Sequence, residues 1–231
     1  MPDITIKGAD GTFGAYLALP GSTPAPAVLV AQEIFGVNQV MRDVCDWLAG
    51  EGFVACCPDL FWRIEPGIQI TDKTQAEWDR AFELFGLFDV DKGIEDVKSA
   101  LAALRGHAAC SGKAGSIGYC LGGKIAYLMA TRSDADCNVG YYGVGIQDLL
   151  DEADSIARPL ALHIATEDQF VPPDAQAAVQ AGLSGNDKAS LHVYQGQDHA
   201  FARVGGQHYD AAAAKTANDR TLAFLREHLA S

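Results

Sequence analysis

With 231 residues the chain is long enough to bury a sizeable core as one large domain. Hydrophobic residues make up 48% and charged residues 20%, a balance that excludes both an intrinsically disordered chain and a membrane-embedded one. Thirty acidic against 17 basic side chains leave a net charge of −13, which repels a phosphate backbone and argues against nucleic acid as a partner.

The same field opposes anionic small molecules, so an acidic substrate needs local cationic help inside its pocket. The opening residues, Met1 to Lys7, lack a basic flank followed by an apolar segment, and no run of about 18 apolar residues occurs. A soluble, cytoplasmic protein without membrane contact is expected. Cys45, Cys56, Cys57, Cys110, Cys120 and Cys137 mostly fall in apolar patterns and read as reduced core residues. No C-x-x-C or clustered His/Cys spacing proposes a metal, and no cofactor is expected.

In chain order, Ile4 to Lys7 and Ala15 to Pro20 read as a hairpin whose Asp10-Gly11 pair supplies positive φ to a tight turn. Pro26 to Ala31 is continuously apolar, as in a strand covered on both faces. Asn38 then caps a helix with the stripe Val40, Met41, Val44, Trp47 and Leu48, ended by Gly50 and Gly52 before a buried strand from Phe53 to Cys57. Residues 59–89 exceed an ordinary connection and hold Phe61, Trp62, Trp78, Phe82, Phe85 and Phe88. Most of these rings are expected to pack a helix on the core, and the segment is a candidate pocket cover. Ile94, Val97, Leu101 and Leu104 repeat at helical spacing up to Gly106, and Ala114 to Tyr119 is a strand. Then follow a helix from Leu121 to about Thr131, a strand from Cys137 to Tyr142 and a helix within Asp148 to Ile156. A strand from Pro159 to Ala165, a helix over Asp174 to Ala181, a strand from Ser190 to Tyr194 and an alanine-rich closing helix complete the chain. With no linker or repeat, residues 1–231 read as one α/β domain: a largely parallel sheet flanked by helices, with an antiparallel N-terminal hairpin.

At Ser116-Ile117-Gly118-Tyr119-Cys120-Leu121-Gly122-Gly123 an apolar run gives way to an amphipathic one, with a cysteine at the turn. Two readings meet it. One is an ordinary tight βα turn with a structural cysteine. The other is the nucleophile elbow written G-x-S-x-G in α/β-hydrolases, with a thiol in place of the hydroxyl and a helix N-terminus favouring thiolate. Partners elsewhere decide between them. In a parallel sheet, catalytic groups gather on loops at the carboxyl ends of strands. Asp168 and His199 both occupy such loops, and Cys120, Asp168, His199 is the nucleophile, acid, histidine order of that fold. These three read as a triad. Glu167 competes with Asp168, and Asp198 is adjacent to the histidine; both read as surface or loop-capping groups. His163 and His192 read as core or paired residues, and His107, His208 and His228 as surface ones. Gln32-Glu33-Ile34-Phe35-Gly36-Val37-Asn38 follows a buried strand, where such an enzyme builds the rest of its oxyanion hole, so the Ile34 and Leu121 amides are the candidate donors. A Glu33 carboxylate pointing into the site would oppose the thiolate by like-charge repulsion and hold the cysteine quiet. A solvated strand-end glutamate is the plainer reading.

Taken with Cys57-Pro58-Asp59-Leu60, Gly140-Tyr141-Tyr142-Gly143-Val144-Gly145 and His199-Ala200-Phe201-Ala202-Arg203, these motifs span nearly the whole chain and resemble the dienelactone hydrolase family. The resemblance implies an α/β-hydrolase that opens an unsaturated lactone carrying a carboxylate, of the 4-carboxymethylenebut-2-en-4-olide type, without metal or cofactor, in bacterial degradation of chlorinated aromatics. It implies the triad Cys120, Asp168 and His199, and a Glu33 that pairs with the thiol and yields when substrate binds. Tyr141 and Arg203 match pocket positions, the arginine meeting the substrate's carboxylate. The family's second arginine is replaced by Trp78, with Arg80 two residues away, its tyrosine by Phe82 and a serine by Ala200. Trp78 and Phe82 therefore stand as substrate contacts of a less polar pocket. The alternatives are a broad small-molecule carboxylesterase of the same fold, and a non-catalytic ligand-binding or thiol redox-sensing protein.

Overall fold

The computed structural model describes residues 4–229. They form two compact units, one reaching to Gly115 and one starting at Ser116.

The first unit opens with β1 (Ile4–Lys7) and β2 (Thr12–Ala18), an antiparallel pair. The expected turn is present but is not built as expected. Asp10 and Gly11 do not adopt positive φ; the turn closes with the Gly8 N–H donating to the Gly11 carbonyl at 2.8 Å, and β2 starts at Thr12. Glycine at 11 serves space instead, because a Cβ there would lie 3.0 Å from the Trp62 ring. β2 also pairs antiparallel with β4 (Val54–Pro58), and β4 pairs parallel with β3 (Ala25–Ala31). β4 is buried throughout, as its unbroken apolar run requires.

Helix α1 (Gln39–Gly50) starts where Asn38 accepts the Met41 amide at 3.2 Å, and it buries Met41, Cys45 and Leu48. Helix α2 (Gln75–Leu87) has a reciprocal cap: Thr74 Oγ1 accepts the Glu77 amide at 3.3 Å and donates to the Glu77 carboxylate at 2.8 Å. Helix α3 (Val90–Arg105) buries Ile94, Val97, Leu101 and Leu104. On that same face Asp96 is 1% exposed, yet it is fully engaged. It accepts the Trp62 indole N–H at 2.8 Å and both Nε and Nη2 of Arg63 at 2.9 Å, while the guanidinium lies 4.5 Å over the Trp62 ring. This cluster fastens the segment after β4 to α3.

Strand β5 (Cys110–Tyr119) crosses the division between the units and begins four residues earlier than expected. In the second unit it pairs parallel with β6 (Asn138–Tyr141), β6 with β7 (Leu160–Ala165) and β7 with β8 (Ala189–Tyr194). Helix α4 (Leu121–Arg132) packs on β6, and α6 (Ala211–Leu229) on β7. Helix α5 (Pro173–Leu183) packs on the segment Ile146–Ser155, which is a 3₁₀ helix where an ordinary helix was expected. It is entered through a left-handed Gly145 at φ 73°, and apolar residues at 146, 149, 150 and 153 suit either period. The architecture is the expected α/β one, mostly parallel with an antiparallel N-terminal start.

Replacing Asp96 by Ala should leave Arg63 and the Trp62 N–H without their buried acceptor and cost roughly 2–4 kcal/mol. A urea midpoint unchanged from the parent protein would show that the cluster contributes nothing to stability.

Candidate active site

The corner between β5 and α4 is strained. Cys120 has φ 57° and ψ −114°, a conformation that an L-residue adopts at a cost on the order of 1–3 kcal/mol. Backbone bonds hold it there: its N–H donates to the Tyr141 carbonyl at 3.1 Å, and its carbonyl accepts the Gly123 amide at 2.9 Å. A Cβ on Gly118 would stand 1.9 Å from the Gly122 carbonyl oxygen, so the corner closes only because residue 118 has no side chain. The plain βα turn does not require such a conformation, whereas an elbow that presents a nucleophile does.

Asp168 and His199 come to the same unit on the loops after β7 and β8. His199 Nδ1 lies 2.9 Å from Asp168 Oδ2 and 3.1 Å from Oδ1. Its side chain also hydrogen-bonds Cys120. With Nδ1 committed to the carboxylate, Nε2 is left for the sulfur. All three are buried, Cys120 at 8%, Asp168 at 4% and His199 at 6% exposure. Burial alone would push the imidazole down, but the negative charge of Cys120 and the hydrogen bond to Asp168 outweigh it and push His199 up to about 10. A shift in that direction describes an imidazolium paired with the Asp168 carboxylate, with the sulfur beside it.

The acid is fixed by its own loop. Asp168 Oδ1 also accepts the amides of Phe170 at 2.8 Å and Val171 at 3.2 Å. From beneath, the buried Gln176 side chain donates to the carbonyls of Val171 at 2.7 Å and Thr166 at 3.3 Å, bridging the two ends of that loop. Glu167 is exposed and Asp198 bonds backbone amides, so neither takes the place of Asp168. The remaining histidines are engaged elsewhere. His163 is buried between the Tyr194 hydroxyl at 2.7 Å and Thr221 Oγ1 at 3.0 Å, and burial holds it well below the usual imidazole range. His192 stacks on His163 at 5.2 Å, His208 pairs with Asp198, His228 packs on Phe224, and His107 accepts the Ala109 amide.

The pocket residues expected from the sequence are more scattered. Arg203, on the loop after His199, is 5% exposed. Tyr141 is fully buried with its hydroxyl 2.6 Å from Thr221 Oγ1 and 3.0 Å from Asn218 Oδ1, so it is tied to α6. Its neighbour Tyr142, at φ 37°, is the one whose ring lies 5.0 Å from that of His199. Phe170 meets the same imidazole edge-on at 4.8 Å. Neither residue is marked as a site residue by its type or spacing in the sequence. Leu121 is the first residue of α4, where helix geometry leaves amides without intrahelical acceptors. In the first unit, Trp78 and Phe82 stack at 5.5 Å on α2 with Phe82 46% exposed, and Arg80 is taken up by Glu65 and Glu83. Glu33 and Ile34, also in the first unit, are buried at 2% and 5% exposure. Among the described residues no group of three or more His, Cys, Asp or Glu side chains is placed to hold a metal ion.

Residues 13–229 match the model of the dienelactone hydrolase family. The chain is 53% identical over 232 residues to a protein of Azospirillum brasilense provisionally named a carboxymethylenebutenolidase, covering 99% of this chain and all of that one. It is 39% identical to the carboxymethylenebutenolidase of Pseudomonas putida, covering 96% of this chain and 94% of the relative. A crystal structure from Klebsiella pneumoniae, provisionally named a dienelactone hydrolase, superposes with a TM-score of 0.85 at 28% identity over 96% of each chain.

An NMR titration of the His199 imidazole should give a midpoint near 10, and Cys120→Ala should move it down by removing the charge that raises it. Because the folded value lies above the unfolded one of about 6.5, this pairing contributes its full stability below pH ~6.5 and loses it as pH rises toward 10. A parent midpoint near the ordinary imidazole value would contradict the ion pair.

Proposed function

We propose that this chain, which belongs to the dienelactone hydrolase family, opens a lactone or ester C–O bond with Cys120 as its nucleophile. The observation that carries this reading is the convergence of sulfur, imidazole and carboxylate in one unit, with the His199–Asp168 bond at 2.9 Å. The sulfur attacks the carbonyl carbon and forms a tetrahedral oxyanion. Collapse expels the alkoxide, which takes the proton from His199 Nε2, and leaves a thioester on Cys120. His199, now neutral, takes a proton from water, the hydroxide attacks the thioester, and the carboxylic acid leaves with the thiolate restored. Asp168 keeps the imidazole in the tautomer and orientation that both transfers need.

The oxyanion is assigned to backbone amides, that of Leu121 at the N-terminus of α4 and that of Ile34. For Ile34, and for Glu33 as the carboxylate that quiets the thiol before substrate binds, the support is the family motif Gln32 to Asn38 and the burial of both residues. The substrate class follows from charge. A protein with net charge −13 that takes an anionic lactone needs a cation in the pocket, and Arg203 is buried on the loop of the catalytic histidine. A carboxymethylene-butenolide fits that cation, and relatives such as the Pseudomonas putida enzyme carry the corresponding name. By the family resemblance Trp78 and Phe82 stand where polar groups would contact substrate, which favours a less acidic or bulkier one. No described helix is long and apolar enough to cross a membrane, and all six cysteines are free thiols, which supports a reducing, cytoplasmic setting.

Cys120→Ala should lower kcat by roughly a thousandfold or more with an unchanged circular dichroism spectrum. Arg203→Leu should raise KM for a carboxylate-bearing lactone about tenfold to a hundredfold, and hardly at all for its neutral methyl ester. Full turnover in the first variant removes the nucleophile, and equal effects on both substrates in the second remove the anion clamp.

A further inference from the structure

The loops bearing Asp168 and His199 are laced together by a ladder of bonds. Tyr194 C=O accepts the Thr166 amide at 3.1 Å, Thr166 Oγ1 accepts the Gly196 amide at 2.9 Å, and Gln197 C=O accepts the Glu167 amide at 2.8 Å. The last rung is a side chain. Asp198 Oδ1 accepts two backbone amides, that of His199 at 2.6 Å and that of Gln169 at 3.2 Å. One oxygen thus grips the catalytic histidine itself and the residue directly after the catalytic acid. Its other oxygen, Oδ2, is 3.2 Å from His208 Nδ1, a partly exposed pairing that leaves Oδ1 to the amides.

Resting on the triad assigned above, we propose that Asp198 is a positioning residue, a clasp that fixes the loop of Asp168 against the loop of His199 and so sets the spacing of their hydrogen bond. It cannot replace Asp168, because it bonds the main-chain N–H of His199 while Asp168 takes Nδ1. A single acceptor oxygen serves both amides, so the two loops are joined at one atom. Gln176 braces the far side of the Asp168 loop through Val171 and Thr166, which leaves the Gln169 edge to Asp198. Displacing a catalytic group by about 1 Å costs on the order of a hundredfold in rate, so a clasp at this edge acts on kcat rather than on substrate affinity.

The test compares Asp198→Ala, Asp198→Asn and His208→Gln, with Cys120→Ala as the control, on one aryl ester. The readouts are kcat, KM and the low-field proton resonance of the His199–Asp168 hydrogen bond. Loss of the clasp in Asp198→Ala should lower kcat roughly tenfold to a hundredfold, leave KM within about twofold, and broaden the resonance. Asp198→Asn should restore both, since its amide oxygen accepts the same two N–H groups, and His208→Gln should match the parent. Asp198→Ala with parental kcat and resonance overturns the clasp, and so does Asp198→Asn failing as badly as Asp198→Ala. Turnover surviving in Cys120→Ala overturns the triad instead. In the unmutated protein, hydrogen exchange should find the Gln169 amide protected although that residue is exposed, and fast exchange there counts against the clasp even if the alanine variant does not fold.

Discussion

A single backbone conformation, the left-handed corner at Cys120, is what the site in the second unit depends on. A strand must end and a helix must begin within one residue, and the residue at the junction must be the one that carries the sulfur. Beside the backbone bonds that hold it, the chain meets that demand by removing side chains around the corner: Gly118 passes the Gly122 carbonyl at a distance no Cβ tolerates, and Gly123 does the same against Tyr141. The strain stays in place because β5 and β6 pair on one side and α4, almost wholly buried, packs on the other. A rigid corner then delivers the sulfur to a histidine whose other nitrogen is already taken.

Electrostatics follow from that placement. The protein is strongly acidic overall, and in its buried site the pKa of His199 is nevertheless held up by Cys120 and by Asp168, which outweigh the cost of burial. Lys124, four residues into the elbow helix, adds to the balance. Burial pulls its pKa below the usual lysine value, while the charges of Asp148 and Cys120 hold it up. These groups compensate one another locally.

Much of this was legible in the residues because local rules and the fold agree. Asn38 ahead of the α1 stripe, the stripe of α3 and the unbroken apolar strands each state their element and burial in a short window. Chain order and loop position pointed to Cys120, Asp168 and His199, and the last two meet at 2.9 Å. What was not legible depends on register or on distant partners. Tyr141 is the last residue of β6 while Tyr142 lies beyond it at φ 37°, so the two could not be told apart until the structure placed one against Thr221 and the other against His199. Asp96 is a lone acid on an apolar helix face, and only Trp62 and Arg63, more than thirty residues earlier in sequence, explain it. The 3₁₀ winding of Ile146–Ser155 was hidden because its apolar spacing fits both helical periods.

The central claim is covalent, so the most direct measurement is the mass of the enzyme during turnover. With a slowly deacylating aryl ester and an acid quench, intact-protein and peptide mass spectrometry should find one acyl group, carried as a thioester on the peptide containing Cys120. An unmodified protein under turnover, or an acyl group on a peptide without Cys120, would contradict the account.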